Sequence, residues 1–184
     1  MGRLRTLDDL DVAGQRVLLR VDFNVPVKHG RIVDDARIRE SVPTIRRLLD
    51  AGASVVVATH LGRPQGQVVE DLRVAPLAAR LQELLGVDVK VAPAVVGEEV
   101  SREAAALQAG QVLMLENVRF EPGEEANDPA FAKRLAALAD VYVNDAFGAA
   151  HRAHASTEGV AHLLPAAAGL LMQREVEVLG GVLT

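Results

Sequence analysis

Apolar residues follow two different spacings along this chain, and the two spacings alternate. Short apolar runs within residues 16–21, 53–59, 87–91, 111–116 and 140–143 predict five strands. The β-branched run at 55–57 predicts a strand buried on both faces, as in a parallel sheet covered by helices. Between these runs, apolar residues recur every three or four positions, which predicts amphipathic helices.

The predicted helices have recognisable ends. They span approximately residues 35–49, 76–85, 98–109, 128–138 and 169–179. Gly52, Gly86 and Gly110 follow three of them, as expected of helix stops. Asp128 and Pro129 form an N-cap and first-turn pair. Strands and helices in regular alternation, without an internal repeat, predict an α/β fold with one doubly wound, mainly parallel sheet and helices on both faces, a Rossmann-like three-layer αβα arrangement.

Composition narrows the possible partners. The 184 residues are 49% hydrophobic, which is enough for one sizeable core, and the formal net charge is −5. This charge argues against a general nucleic-acid or anionic-membrane surface but leaves a local cationic pocket possible. The absence of cysteine excludes disulfides and thiolate chemistry and is consistent with a cytoplasmic protein. The longest apolar region, 159–172, is too short to span a bilayer and contains His162 and Pro165.

Polar residues follow four of the five predicted strands. Parallel strands converge at their carboxyl ends, where ligands of α/β proteins bind. Arginines delivered there by three separate loops predict an anion site, because clustered cations are costly without a ligand of multiple negative charge. The residues concerned are Asp22 and Asn24 after the first strand, His60 and Arg63 after the second, Asn117 and Arg119 after the fourth, and Asn144, Asp145, His151, Arg152 and His154 after the fifth.

Each of these residues also has an interpretation without function. A single loop arginine is usually a solvated surface residue, and Arg37 could form only a local ion pair with the neighbouring aspartates. His151 and His154 could suggest a metal pair, but no third ligand is evident, so no metal is predicted. Asn144 and Asp145 would serve equally well as caps of the following turn. The common position of the residues at strand ends favours the functional interpretation.

Five strings carry a resemblance to a known family. They are RVDFNVP at 20–26, DDARI at 34–38, HLGRP at 60–64, LENVRFEPGEEANDP at 115–129 and VNDAFGAAHRAHAS at 143–156. Their order and spacing resemble phosphoglycerate kinase over nearly the whole chain, and specifically its N-terminal domain, which holds 3-phosphoglycerate. The resemblance implies reversible phosphoryl transfer in glycolysis between MgATP and the carboxylate of 3-phosphoglycerate, giving ADP and 1,3-bisphosphoglycerate. It also implies a monomeric, cytoplasmic enzyme that binds neither nucleic acid nor membrane.

The resemblance also implies roles for individual residues. Asp22 and Asn24 match residues that hold the glycerate portion, and Arg37 matches the catalytic arginine that contacts the reacting carboxylate and neutralises charge on the transferring phosphoryl group. His151 and His154 match the family string in a supporting role. A carboxylate nucleophile is already ionised at neutral pH, so no general base is required. The basic cluster around the 3-phosphate is implied to comprise His60, Arg63, Arg119 and Arg152.

Family members have a second domain that binds MgATP or MgADP. This sequence ends at Thr184, in what resembles the helix leading to that domain, and contains no GxxxxGK[ST] or GxGxxG motif. The expected division is therefore a 3-phosphoglycerate-binding domain at 1–168 and the start of the inter-domain helix at 169–184, with the C-terminal nucleotide-binding domain absent. Such a chain is expected to bind 3-phosphoglycerate without transferring phosphate by itself.

Two other functions remain open at this point. The first is a stand-alone binding module for a small phosphorylated acid, which would use the same pocket without chemistry. The second is an acyl- or sugar-phosphate enzyme on a similar scaffold, which rests on fold analogy alone and lacks an evident activated nucleophile.

Overall fold

A six-stranded parallel sheet forms the centre of the protein, whose computed structural model describes residues 2–182. The sheet order is β5-β6-β4-β1-β7-β8, and β2 and β3 form a separate two-stranded antiparallel hairpin. In chain order the strands are β1 (Arg16–Arg20), β2 (Val27–Lys28), β3 (Arg31–Ile32), β4 (Ser54–Ala58), β5 (Val89–Val91), β6 (Val112–Met114), β7 (Val141–Asn144) and β8 (Ala166–Ala168).

Helices cover both faces of this sheet. Alternate residues of one strand enter different hydrophobic clusters: Val17 and Leu19 of β1 face one side, and Leu18 faces the other. The predicted doubly wound, three-layer α/β fold is therefore confirmed. The helices are α1 (Ala36–Asp50), α2 (Ala75–Leu85), α3 (Glu98–Ala105), α4 (Pro122–Glu125), α5 (Pro129–Ala136) and α6 (Leu170–Val182), and a single π-helical turn spans Ala155–Gly159.

Local chemistry explains several of the helix ends. The Asp128 side chain accepts a hydrogen bond from the Phe131 backbone N–H, as the predicted N-cap of α5 requires. Gly86 adopts the left-handed conformation that ends α2, with φ at 73°. Asp35, the N-cap residue of α1, makes no capping bond, and the neighbouring Asp34 instead accepts from the Ala36 N–H at 2.9 Å.

The structure differs from the sequence-based expectations in two places. The edge strand β8 was not predicted, because three alanines within the apolar region 159–172 carry little strand propensity. It forms because β7 offers a free edge with which β8 pairs in parallel. The hairpin of β2 and β3 was also missed, although His29 and Gly30 between the strands both have positive φ, as tight hairpin turns require.

Some predicted boundaries were wrong by a few residues. The strand expected from residue 87 begins at Val89, and the helix expected to continue to residue 109 ends at Ala105. The predicted final helix is present as α6, and residues 183 and 184 of the predicted 169–184 segment lie outside the described residues. Among residues 2–182, no helix is both long enough and apolar enough to cross a membrane.

The sheet topology determines where a ligand site can form. After β1, the chain builds β4, β5 and β6 on one side of that strand and then crosses to β7 on the other side. All six strands run in the same direction, so the loops after β1, β4, β6 and β7 open at one edge. This change of direction in the strand order is where doubly wound sheets form a crevice.

Candidate functional site

A cavity of about 270 Å³ lies at the carboxyl edge of the sheet. Four loops and the first turn of α1 contribute to it, so residues far apart in sequence meet there. All seven residues that the sequence analysis proposed as substrate-binding line this one cavity. The full lining is Asp22, Asn24, Arg37, His60, Gly62, Arg63, Arg119, Gly148, Ala149 and Arg152.

Positive charge dominates the cavity. Four arginines line it, against the single carboxylate of Asp22. Arg63 and Arg152 are exposed, and neither guanidinium forms an ion pair with any side chain of the described residues 2–182. Unpaired guanidinium groups that face one small space favour a ligand with several negative charges, because each can donate charge-assisted hydrogen bonds to it.

Arg119 is the buried member of this group, with only 4% of its surface exposed. Its Nη1 donates to the Gly62 carbonyl at 3.1 Å, whereas its buried Nε and Nη2 have no hydrogen-bond partner in the structure. Glu125 approaches to 3.7 Å, which is too long for a hydrogen bond. Burial lowers the pKa of Arg119, and the neighbouring Arg152 and Arg20 lower it further. An anion in the cavity would satisfy donors that the protein leaves unpaired.

Arg37 lines the cavity from the first turn of α1. Its Nη1 is 3.1 Å from both carboxylate oxygens of Asp22 and donates to the Asn24 carbonyl at 3.2 Å. More than half of the Arg37 side chain is exposed, so its other nitrogens are available to a ligand. The alternative considered for Arg37, a local ion pair with the aspartates beside it in sequence, does not describe its contacts: Arg37 pairs with Asp22, and Asp35 pairs with Arg39 and Arg80.

Two asparagines shape the loop that follows β4. Asn24 accepts from the Gly62 N–H at 3.0 Å, while Asn117 donates to the Leu61 carbonyl at 2.7 Å. Asn117 is completely buried and does not line the cavity. Gly62 has φ at 64°, which favours glycine, and a Cβ added there would lie 2.7 Å from the Leu72 side chain, which would have to move. Because Asn117 is buried and donates to the Leu61 carbonyl, it holds the loop in place and does not face a ligand.

His60 reaches the cavity from the end of β4 and is 5% exposed. Its Nδ1 lies 2.8 Å from Nη2 of Arg20, a residue that is completely buried within β1. Burial lowers the pKa of His60 to about 2, and the positive charges of Arg20, Arg119 and Arg152 act in the same direction. His60 is therefore neutral at physiological pH. Sequence reasoning missed Arg20, which lies at the end of β1 and which the apolar pattern did not distinguish from the other charged residue of that strand, Arg16.

The lowered pKa of His60 predicts a specific loss of stability in acid. As pH falls below 6.5, the unfolded chain binds a proton at His60 that the folded protein does not bind, so the free energy of unfolding decreases. Below pH 6.5, the free energy of unfolding of the wild-type protein should decrease, relative to that of His60→Gln, by up to about 1.4 kcal/mol per pH unit. Urea unfolding of both proteins between about pH 7 and pH 5 measures this difference, and parallel curves would show that His60 titrates normally.

Other strand-end residues lie outside the lining of this cavity. Asn144 accepts a hydrogen bond from the Ala146 N–H at 2.9 Å. This is the turn-capping role that was considered as the alternative to a role in binding. Asp145 accepts from the N–H groups of Leu171 and Met172 in the first turn of α6, and burial raises its pKa. His151 is exposed and His154 partly buried. Within residues 2–182, no three His, Asp or Glu side chains are grouped to hold a metal ion.

Comparison with known proteins places this chain in a family. The family model for phosphoglycerate kinase matches residues 7–184. A phosphoglycerate kinase from Moorella thermoacetica is 62% identical over 178 residues, covering 97% of this chain and 45% of the relative. The chain thus spans less than half the length of that relative.

Solved structures agree with this assignment. The structure of phosphoglycerate kinase from Coxiella burnetii has a TM-score of 0.88 and 39% identity, covering 97% of this chain and 44% of that chain. The crystal structure of phosphoglycerate kinase from Pyrococcus horikoshii OT3 also has a TM-score of 0.88, with 37% identity, 95% coverage of this chain and 44% of that chain. The sequence, the fold and these comparisons together establish that the chain belongs to the phosphoglycerate kinase family.

Proposed function

We propose that this chain is the 3-phosphoglycerate-binding half of a phosphoglycerate kinase, a glycolytic transferase of the cytoplasm that acts as a monomer. The observation that carries this proposal is the convergence of four arginines from four separate segments on one cavity. A phosphorylated carboxylic acid has negative charge at both ends, which suits a cavity lined by several cations from separate segments.

The distribution of the side chains suggests how the substrate would lie. The 3-phosphate would be bound by the basic cluster, which consists of Arg63, Arg119, Arg152 and His60. Asp22 and Asn24 would form hydrogen bonds with the glycerate portion. Arg37, which is fixed by Asp22 and still exposed, would contact the reacting carboxylate. The remote phosphate would thus supply binding energy that aligns the reacting end.

Phosphoryl transfer depends mainly on alignment and on stabilisation of charge. In the proposed reaction the substrate carboxylate attacks the γ-phosphorus of ATP, and the bond to ADP breaks as 1,3-bisphosphoglycerate forms. The carboxylate is ionised at neutral pH, so the site needs no general base. Arg37 would neutralise part of the charge that collects on the transferring group.

We assign MgATP and MgADP to a second domain of the complete enzyme. The described residues 2–182 provide no cluster of metal ligands, and the sequence contains no glycine-rich phosphate loop of the usual types. Under this proposal residues 1–168 form the substrate domain and 169–184 begin the inter-domain helix. Its apolar residues Val176, Val178 and Leu179 are exposed, as expected of a helix that packs against a further domain.

Calorimetric titration of the chain tests this function. We expect 3-phosphoglycerate to bind and MgATP not to bind, at low salt so that the anion site is not screened. Glycerate, which lacks the phosphate, is the matched ligand and should bind far more weakly. Arg102→Ala, which removes an exposed arginine of α3 away from the cavity, should bind 3-phosphoglycerate normally. Binding of MgATP, or equal binding of glycerate and 3-phosphoglycerate, would contradict the proposal.

A further inference from the structure

A chain of buried polar groups lies behind the cavity and ends at His60. The Nε of Arg20 donates to the Ser156 hydroxyl at 2.8 Å, and this hydroxyl donates to Oε2 of Glu124 at 2.6 Å. The Ser156 backbone N–H donates to the other Glu124 oxygen, also at 2.6 Å. Arg20, Ser156 and Glu124 are at most 1% exposed, so these contacts are shielded from bulk solvent. The guanidinium is therefore held rigidly from behind.

The opposite side of the same guanidinium faces the histidine. Nη2 of Arg20 lies 2.8 Å from Nδ1 of His60. A guanidinium has only donors and stays charged, so Nδ1 of His60 must accept this hydrogen bond. The ring proton of a neutral His60 must then be on Nε2, the nitrogen that Arg20 does not occupy. Because His60 lines the cavity, this leaves the ring with one N–H donor for a ligand.

We propose that Arg20 is a positioning residue which, held by Ser156 and Glu124, fixes His60 in its Nε2–H form as a neutral hydrogen-bond donor to the phosphate of the ligand. This inference deepens the proposed function and depends on it for the identity of the ligand. None of the sequence motifs assigned a role to Arg20, Ser156 or Glu124.

The arrangement of charge supports this role over simple burial of an arginine. A buried guanidinium placed directly against Glu124 would form an ion pair that neutralises both groups. Ser156 instead stands between them, so that the Arg20 charge continues to act on His60. Cations face His60 from β1 and from the loops after β6 and β7, and acids of α4 face those loop cations. The cations are Arg20, Arg119 and Arg152, the acids are Glu124 and Glu125, and burial lowers the pKa of His154, which also faces His60.

A neutral donor has a measurable consequence for ligand binding. A histidine that became protonated near pH 6.5 would gain affinity for phosphate as pH fell. With His60 fixed as a neutral donor, affinity should instead follow ionisation of the phosphate group, whose second pKa is about 6. Glutamine can reproduce the arrangement, because its carbonyl accepts from Arg20 while its amide donates into the cavity.

Imidazole ¹⁵N NMR of the 184-residue chain tests the positioning without any ligand. The His60 signals are assigned by their absence in His60→Gln. We expect one neutral ring with Nε2 protonated and Nδ1 unprotonated, unchanged between about pH 7 and pH 5. Arg20→Met should give a mixture of both neutral ring forms, because nothing then holds Nδ1 as the acceptor. A protonated Nδ1, or normal titration in the wild-type protein, would overturn the proposal even if Arg20→Met does not fold.

Titration with 3-phosphoglycerate completes the test. His60→Gln should retain affinity within about threefold, whereas His60→Ala and Arg20→Met should each lose about tenfold. Equal losses in His60→Gln and His60→Ala would overturn the donor role. If the ring is in its Nε2–H form but the protein binds no 3-phosphoglycerate, Arg20 positions His60 and the proposed function is refuted. Failure of the positioning role and failure of the proposed function can therefore be distinguished.

Discussion

Replacing Arg119 with methionine is expected to weaken 3-phosphoglycerate binding by about 10- to 100-fold, the effect of losing a charge-assisted hydrogen bond. The unliganded protein should nevertheless remain as stable as the wild type or become more stable. In the absence of ligand, two buried nitrogens of Arg119 have no hydrogen-bond partner, and the cost of burying its charge exceeds the attraction of Glu125, with Arg152 and Arg20 adding repulsion. Methionine removes these costs and retains most of the buried hydrocarbon.

Calorimetric titration measures the affinity of Arg119→Met, and urea unfolding without ligand measures its stability. Arg102→Met provides the matched control, because Arg102 is an exposed arginine of α3 far from the cavity. It should change neither quantity appreciably. A large loss of stability in Arg119→Met would show that Arg119 supports the fold, and unchanged affinity would remove it from the binding site.

Arg37→Ala is expected to lower the catalytic rate of a two-domain enzyme by about 100-fold or more, the usual effect of removing a donor that stabilises transition-state charge. Arg152→Ala should mainly raise KM, since the 3-phosphate does not react. Arg37 differs from Arg152 in being anchored by Asp22 and the Asn24 carbonyl. This anchoring would keep the guanidinium fixed while charge develops.

This comparison can be made in the Moorella thermoacetica relative after its matching segment is exchanged for this chain, given their 62% identity. Arg37→Lys keeps the positive charge but loses the planar fork, so it should recover only part of the rate. It also leaves Asp22 with a cationic partner. Comparable kcat values for Arg37→Ala and Arg152→Ala would remove the special role of Arg37.

The sequence predicted the sheet well where strands are β-branched and buried on both faces. The run at 55–57 became the central strand β4, and the apolar run at 16–21 became its neighbour β1. The edge strand β8 could not be found in this way, because three alanines gain their strand conformation from pairing with β7 rather than from local preference. Topology explains why the seven proposed residues meet in one cavity, since parallel strands deliver their loops to one edge.

Tertiary contacts decided the roles that the pattern left open. Asn117 and Arg119 follow the same strand, yet Asn117 turns inward to hold the Leu61 carbonyl and Arg119 lines the cavity. Arg20 precedes the motif residues Asp22 and Asn24, and as part of a strand it gave no spacing signal. Its importance depends on Ser156, which lies 136 positions away and meets it only in the folded protein.

The most direct test of the proposed binding mode is a crystal structure of this chain with 3-phosphoglycerate. We expect the phosphate within hydrogen-bond distance of Arg119 and of His60 Nε2, near the exposed Arg63 and Arg152. We expect the carboxylate, at the other end of the ligand, beside Arg37. A ligand bound in the reverse orientation, or outside the cavity, would refute the proposed binding mode.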